Sequence, residues 1–160
     1  MIVALGCDHA GLPLKDRIRA AIEEARHEVL DCGAFEIDPD DDYPDYARAV
    51  GTAVVAQRAA RGVLVCGSGV GVSIAASKIP GIRAAMCHDT FSARQGVEDD
   101  DMNVVALGAR VIGPELAAGV VVAFLAAEFS GAPRHVRRSG RIDEIAADAR
   151  AGRFDRSALL

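Results

Sequence analysis

The sequence predicts an α/β fold, a Rossmann-like doubly wound sheet of about five parallel strands, and two observations carry that expectation. Five short apolar runs alternate with stretches in which apolar residues recur at intervals of three and four. The composition supplies the second: 51% of the residues are hydrophobic but only 4% are aromatic, so the core must be assembled from Ala, Val, Ile and Leu. That is the material of parallel strands covered by helices on both faces. Alternating strand and helix imposes right-handed crossovers, and in such a sheet ligands bind beyond the carboxyl ends of the strands.

Taken in order, the strands are expected at Ile2–Gly6, Glu28–Cys32, Val63–Cys66, Ile82–Cys87 and Asn103–Leu107, each followed by turn or polar residues. The helices are expected at Leu12–Arg26, Tyr43–Arg61, Val70–Lys78, Thr90–Glu98 and Pro114–Phe129. The strand ends carry Cys7-Asp8-His9, Asp31-Cys32-Gly33, Cys66-Gly67-Ser68, Cys87-His88-Asp89 and Gly108-Ala109-Arg110, far more chemistry than connectors need. The acidic run Asp38–Asp42, with Tyr43-Pro44 after it, reads as a solvated loop and a helix start and receives no catalytic role. After Gly131 the chain turns basic, with Arg134, His135, Arg137, Arg138 and Arg141 opening a last helix of about ten residues through Arg150. A lone helix of that length is marginal unless it packs on something, here a partner subunit. The 160 residues contain no linker, repeat or low-complexity segment, so residues 1–160 form one domain in which about 134–160 is a C-terminal arm and helix.

Charge and cysteine usage exclude several functions. A net charge of -5 gives no electrostatic reason to bind nucleic acid or an anionic membrane. No apolar run approaches the roughly 18 residues that span a bilayer, and Met1 leads straight into a strand, so the expected location is cytoplasmic. Cys7, Cys32, Cys66 and Cys87 are widely spaced without CxxC pairs, which removes zinc and thioredoxin chemistry. Cys7, Cys32 and Cys87 are read as small core residues.

The strongest local signal is Val65-Cys66-Gly67-Ser68-Gly69-Val70-Gly71, a glycine-dense turn joining an apolar strand to a helix. Glycines let the backbone approach a ligand and point successive N–H groups into one concavity, where oxyanion or phosphate oxygens sit well. The spacing is neither G-x-G-x-x-G nor a P-loop, so dinucleotide binding and nucleotide hydrolysis lack support. Cys66 lies at the mouth of the turn, where N–H groups favour thiolate, able to act as nucleophile or base. Asp8 and His9 bring an acid and an imidazole to the end of the first strand, to contact sugar hydroxyls or to orient one another.

Together with Gly6–Gly11 and Cys66–Gly71, the motifs Asp42-Tyr43-Pro44, Gly81-Ile82-Arg83-Ala84 and Gly108-Ala109-Arg110-Val111-Ile112-Gly113 resemble the ribose-5-phosphate isomerase B family, which also contains the galactose-6-phosphate isomerase subunits. The resemblance runs in order from Ile2 to about Ile145. It implies aldose–ketose isomerisation of a small sugar phosphate through an enediolate, without metal or other cofactor, in homodimers or homotetramers with shared active sites. By position, Cys66 resembles the base that takes the proton alpha to the carbonyl, and Gly67, Ser68, Gly69, Val70 and Gly71 resemble the cradle for the developing oxyanion. Some members instead place a Glu in the following helix, but no Glu stands between Ser68 and Gly81. Asp8 and His9 match the substrate-binding pair. Arg110, Arg134 and Arg138 match basic positions around the phosphate, which suits bidentate guanidinium contacts.

One departure stands out. The family usually carries a His at the position of Asp99, where it opens the sugar ring before isomerisation. A carboxylate with an ordinary pKa of about 4 is a poor acid at neutral pH unless burial or the adjacent Asp100 and Asp101 raise it. Asp100, at a substrate-contact position often held by Asn, adds further acidity. The first expectation remains ribose 5-phosphate to ribulose 5-phosphate. The second is a tetrose or hexose phosphate: erythrose or erythrulose 4-phosphate cannot close the usual furanose ring and needs no ring-opening acid. Competing explanations are that Asp99 works protonated, that His9 or another group substitutes, or that the position was altered to disable ring opening. A third reading, a non-catalytic sugar-phosphate binding module, rests on Asp99 alone, and a thiol retained at Cys66 argues against it.

Overall fold

The computed structural model describes residues 1–154. Strands β1 (Ile2–Cys7), β2 (Glu28–Asp31), β3 (Arg61–Cys66), β4 (Ala84–Met86) and β5 (Val104–Gly108) form one parallel sheet in the order β2-β1-β3-β5-β4. The helices are α1 (Leu12–Glu24), α2 (Tyr43–Val55), α3 (Val70–Ala76), α4 (Thr90–Asp100), α5 (Pro114–Ala126) and α6 (Pro133–Arg150). The expected strand and helix alternation is present throughout. No helix among the described residues is long and apolar enough to cross a membrane.

Successive strand residues point to opposite faces, which explains why the core strands are apolar without a break. Val63 and Val65 join Leu5, Ile18, Val105, Leu107, Val121 and Phe124 beneath α1, α4 and α5. Leu64 and Cys66 join Ala4, Val50, Val72 and Ala106 beneath α2 and α3. Phe124 is fully buried. Its truncation to Ala would remove about 3–5 kcal/mol.

The crossovers diverge between β1 and β3, so the crevice for a ligand opens where these two strands end. Register brings the ends level: Cys7 lies beside Val65, and Cys66 beside Gly108. α4 starts at the carboxyl edge and returns over 11 residues, about 16 Å of helix, so Asp99 and Asp100 finish toward the amino edge, the far side of the sheet.

Most elements differ from expectation by a few residues at their ends, as where β4 spans only Ala84–Met86 of the expected Ile82–Cys87, and two differ most in length. The helix expected over Tyr43–Arg61 ends at Val55, because Ala56 caps it and Gln57 turns at φ 57°. Arg61 instead opens β3 and donates to the carbonyls of Phe124 and Ala127, tying the amino edge of the sheet to the end of α5. The last helix has 18 residues rather than about ten. Pro133 presets its first turn, and His135 and Ser139, one turn apart, bury against the rest of the fold, so the basic stretch is helical from its start. The last part of the expected C-terminal arm, residues 155–160, lies outside the described residues.

Candidate active site

Three of the five strand ends converge. A cavity of about 380 Å³ opens at the carboxyl edge, lined by Asp8 and His9 after β1, by Cys66, Gly67 and Ser68 after β3, and by Arg110 after β5. Backbone hydrogen bonds hold these segments together: the Ala109 amide donates to the Cys66 carbonyl at 2.9 Å, and the Arg110 amide to the Gly67 carbonyl at 3.0 Å. The other two ends are structural. Asp31 pairs with Lys15 and Arg19. His88 Nε2 accepts the Gly108 amide at 3.0 Å, and Asp89 caps α4 by accepting the Ser92 amide.

Gly69, the residue before α3, has φ 83°, a backbone that L side chains avoid. It leads the chain into α3, and its amide donates to Cys66 Sγ at 3.1 Å. The donor fixes the position of the sulfur at the floor of the cavity. The Val70 amide donates to Ser68 Oγ, and the Val70 side chain points outward. Within the expected cradle, then, Gly67, Ser68 and Gly71 line the cavity, Gly69 serves the sulfur, and Val70 shapes the turn. Gly71 is a first-turn helix residue whose amide has no acceptor within the helix, leaving it free for a ligand oxygen. It also lies directly under the Tyr43 ring, where a Cβ would approach to 2.8 Å.

Cys66 is 5% exposed, at the boundary between core and cavity. Cys7 and Cys87 are buried, and burial pushes both thiols up to about 11. Cys32, half-buried, is raised for the same reason. These three are inert packing residues, as their sequence setting implied.

Asp8 is nearly buried, and its Oδ1 accepts the Gly11 amide at 2.8 Å. His9 is held by Asp41, which accepts the His9 backbone amide at 2.8 Å and also pairs with Nδ1. The Asp41 hydrogen bond raises the imidazole above its ordinary range against an opposing contribution from burial. Asp8, His9 and Asp41 bring potential metal-ligand atoms within 4.8 Å of one another, but the imidazole nitrogen facing Asp41 is already committed to it. Asp41 is the residue the sequence reading missed. It stands 32 positions from His9 inside an acidic run that looks like ordinary solvated loop. Tyr43, expected as a helix start and part of a motif, also lines the cavity.

Four expected site residues are not at this cavity. Asp99, in the last turn of α4, accepts from Gln95 and pairs with the buried His135, whose Nδ1 is 3.3 Å away. Asp100 borders a separate groove of about 600 Å³ beside Ile142 and Ile145 of α6. Arg134 donates to His135 Nε2 at 2.7 Å, and Arg138 is exposed on α6.

A strand end that offers a thiol beneath a backbone amide, flanked by imidazole and guanidinium, is built to shift a proton on an anionic substrate. The comparisons agree with that chemistry. Residues 3–142 match the Ribose/Galactose Isomerase family. Ribose-5-phosphate isomerase B of Escherichia coli is 44% identical over 143 residues, covering 89% of this chain and 95% of that one. D-erythrulose-4-phosphate isomerase of Pectobacterium atrosepticum is 42% identical over 132 residues, covering 81% and 85%. The solved structure of Clostridium thermocellum ribose-5-phosphate isomerase B superposes with a TM-score of 0.89 at 42% identity, covering 93% of this chain and 99% of that one. The chain belongs to the ribose/galactose isomerase family.

Proposed function

We propose that this chain is a cytoplasmic aldose–ketose isomerase that interconverts ribose 5-phosphate and ribulose 5-phosphate by proton transfer at Cys66. The observation that carries the reading is the Cys66 sulfur, held by the Gly69 amide at the floor of a cavity with His9 and Arg110 on its rim. With the open-chain aldose bound, the Cys66 thiolate removes the proton from C2, and the electron pair moves to give the enediolate. The charge developing on oxygen meets the Gly67, Ser68 and Gly71 end of the turn, where preorganised donors act without reorganisation. A proton passes from the C2 hydroxyl to the C1 oxygen of the enediolate, and return of the abstracted proton from Cys66 to C1 then completes the ketose and restores the thiolate. The oxyanion is stabilised by protein donors, so the chemistry requires no metal.

His9 and Arg110 supply cations for the phosphate within one protomer. Arg134, Arg138, Asp99 and Asp100 belong to α6 and the end of α4, and we assign them to the cavity of a second copy in a homodimer or homotetramer. This gives each of the expected residues a role without distorting either helix. The exposed apolar side chains of Val136, Ile142 and Ile145 on α6 fit burial against that copy.

A second substrate reading has its own support. Asp99 pairs with His135 and stands where the family carries a ring-opening His. A tetrose 4-phosphate, the class named by the Pectobacterium relative, dispenses with that step. Offering ribose 5-phosphate and erythrose 4-phosphate separately to the enzyme decides between them. Turnover of the pentose supports the first reading, and turnover of the tetrose alone replaces it with the second.

A further inference from the structure

We propose that Asp41 is a positioning residue for substrate binding: it fixes the His9 ring so that Nε2–H, together with the Arg110 guanidinium, receives the substrate's phosphate. The inference rests on the reading of this cavity as a sugar-phosphate site and adds to it a residue outside every expected site position.

Asp41 grips His9 twice, through the backbone amide at 2.8 Å and through Nδ1. The two contacts are geometrically independent, so the ring can neither slide nor flip without losing one of them. The Asp41 side chain is 7% exposed although it belongs to an acidic loop whose neighbours Asp40 and Asp42 lie nearer solvent. The nitrogen that remains, Nε2, has no hydrogen-bond partner among the described residues, and His9 lines the cavity. Arg110 likewise makes no side-chain hydrogen bond or ion pair among the described residues, and it lies close enough to His9 to oppose the imidazole's charge. A free imidazole Nε2 and an unpaired guanidinium held close together at a cavity mouth define a place for an anion. A phosphate dianion matches the fixed donors of both.

The charges around His9 also set the sign of a pH dependence. Asp41 raises the imidazole, burial lowers it, Asp8 raises it, and Arg110 lowers it. Tyr43 and Tyr46, on α2, and Cys66, at the end of β3, complete the titratable surroundings. Tyr46 is pushed up by burial first and then by Asp41, so it stays neutral through the working range. The imidazolium therefore persists to a higher pH than an ordinary histidine, and phosphate affinity falls as pH rises through the His9 value. Without the Asp41 charge the same fall begins at lower pH.

The test uses the full chain, with inorganic phosphate as the probe for the cation pair and ribose 5-phosphate for turnover. NMR of the His9 ring gives its titration and its response to phosphate. Asp41→Asn, which keeps the size but removes the charge, should lower the His9 pKa. It should also weaken inorganic phosphate and raise KM by about tenfold, with kcat changing far less. Asp41→Ala should do more, and Asp40→Asn, at the adjacent exposed carboxylate, should do nothing. An unchanged amide spectrum outside the site shows that the variants fold. An unchanged His9 pKa, or unchanged phosphate affinity in folded Asp41→Asn, overturns the proposal. So does a pure loss of kcat. Phosphate binding that responds to Asp41 in an enzyme that turns over no sugar phosphate supports the positioning role and defeats the functional reading instead.

Discussion

The Gly69 amide points at Cys66 Sγ from 3.1 Å, and the left-handed backbone of the same residue turns the chain into α3. Base and turn are thus one device. Cys66→Ala should cut kcat by roughly 10²–10⁴-fold, the range of a positioned acid–base group, while inorganic phosphate still binds normally. Steady-state kinetics beside calorimetric titration checks both halves. Equal loss of turnover and of phosphate binding would mean that Cys66 supports structure rather than chemistry.

Gly69→Ala forces an L side chain into φ 83°. It should cost about 1–2 kcal/mol in urea unfolding and lower kcat by misdirecting the amide. A variant as stable and as active as the wild type would show that the turn tolerates another path.

Lys15 is the buried cation of the fold, 2.8 Å from Asp31 and 2.7 Å from the Ala34 carbonyl. Burial pushes the Asp31 carboxyl up, but the Lys15 hydrogen bond, the Gly33 amide and Arg19 outweigh it and hold the carboxyl below its ordinary range. A depressed folded value contributes stability above the unfolded pKa of about 4, and that stability is lost as pH falls through the folded value. Lys15→Met should destabilise by about 1–3 kcal/mol at neutral pH, since Asp31 and the Ala34 carbonyl lose a buried donor while Arg19 still pairs with Asp31. It should also flatten the acid limb of the stability curve. Urea melts between neutral and acid pH measure both effects.

The strand and helix alternation, the converging strand ends and the glycine turn were all legible in the sequence, because they follow from local apolar period and from glycine chemistry. What escaped depends on contacts between distant segments. Asp41 looked like loop because nothing within a few residues of it reports that His9 closes on it. Arg61 was read as the end of a helix because its apolar neighbours fit both periods, and only pairing with β1 and β5 decides the strand. His135 and Ser139 extend the last helix by burying one face, which a run of arginines conceals. The expectation that Asp99, Asp100, Arg134 and Arg138 serve the site is readable from position, yet α4 carries the two aspartates toward the opposite edge of the sheet and the two arginines lie on α6, outside the cavity.

Replacing Asp99 by His supplies an imidazole where the family opens the ring. Asp99→His should raise kcat/KM for ribose 5-phosphate and leave erythrose 4-phosphate unaffected, because the tetrose has no furanose to open. Parallel assays of the two substrates check this. A gain on both sugars would assign position 99 to a later step.

If cavities are shared, Cys66→Ala and Arg138→Ala chains damage different halves of one site. Each alone should be inactive or impaired, and mixing them under conditions of subunit exchange should restore part of the wild-type activity. No restoration, with exchange verified by mass, would place Arg138 outside the site.

The most direct test of Cys66-centred isomerisation is NMR of ribose 5-phosphate with the enzyme in heavy water. Formation of ribulose 5-phosphate carrying deuterium at C1, abolished in Cys66→Ala, is the predicted result. Conversion at an undiminished rate in the Cys66→Ala variant, or no exchange and no product with the wild type, would contradict it.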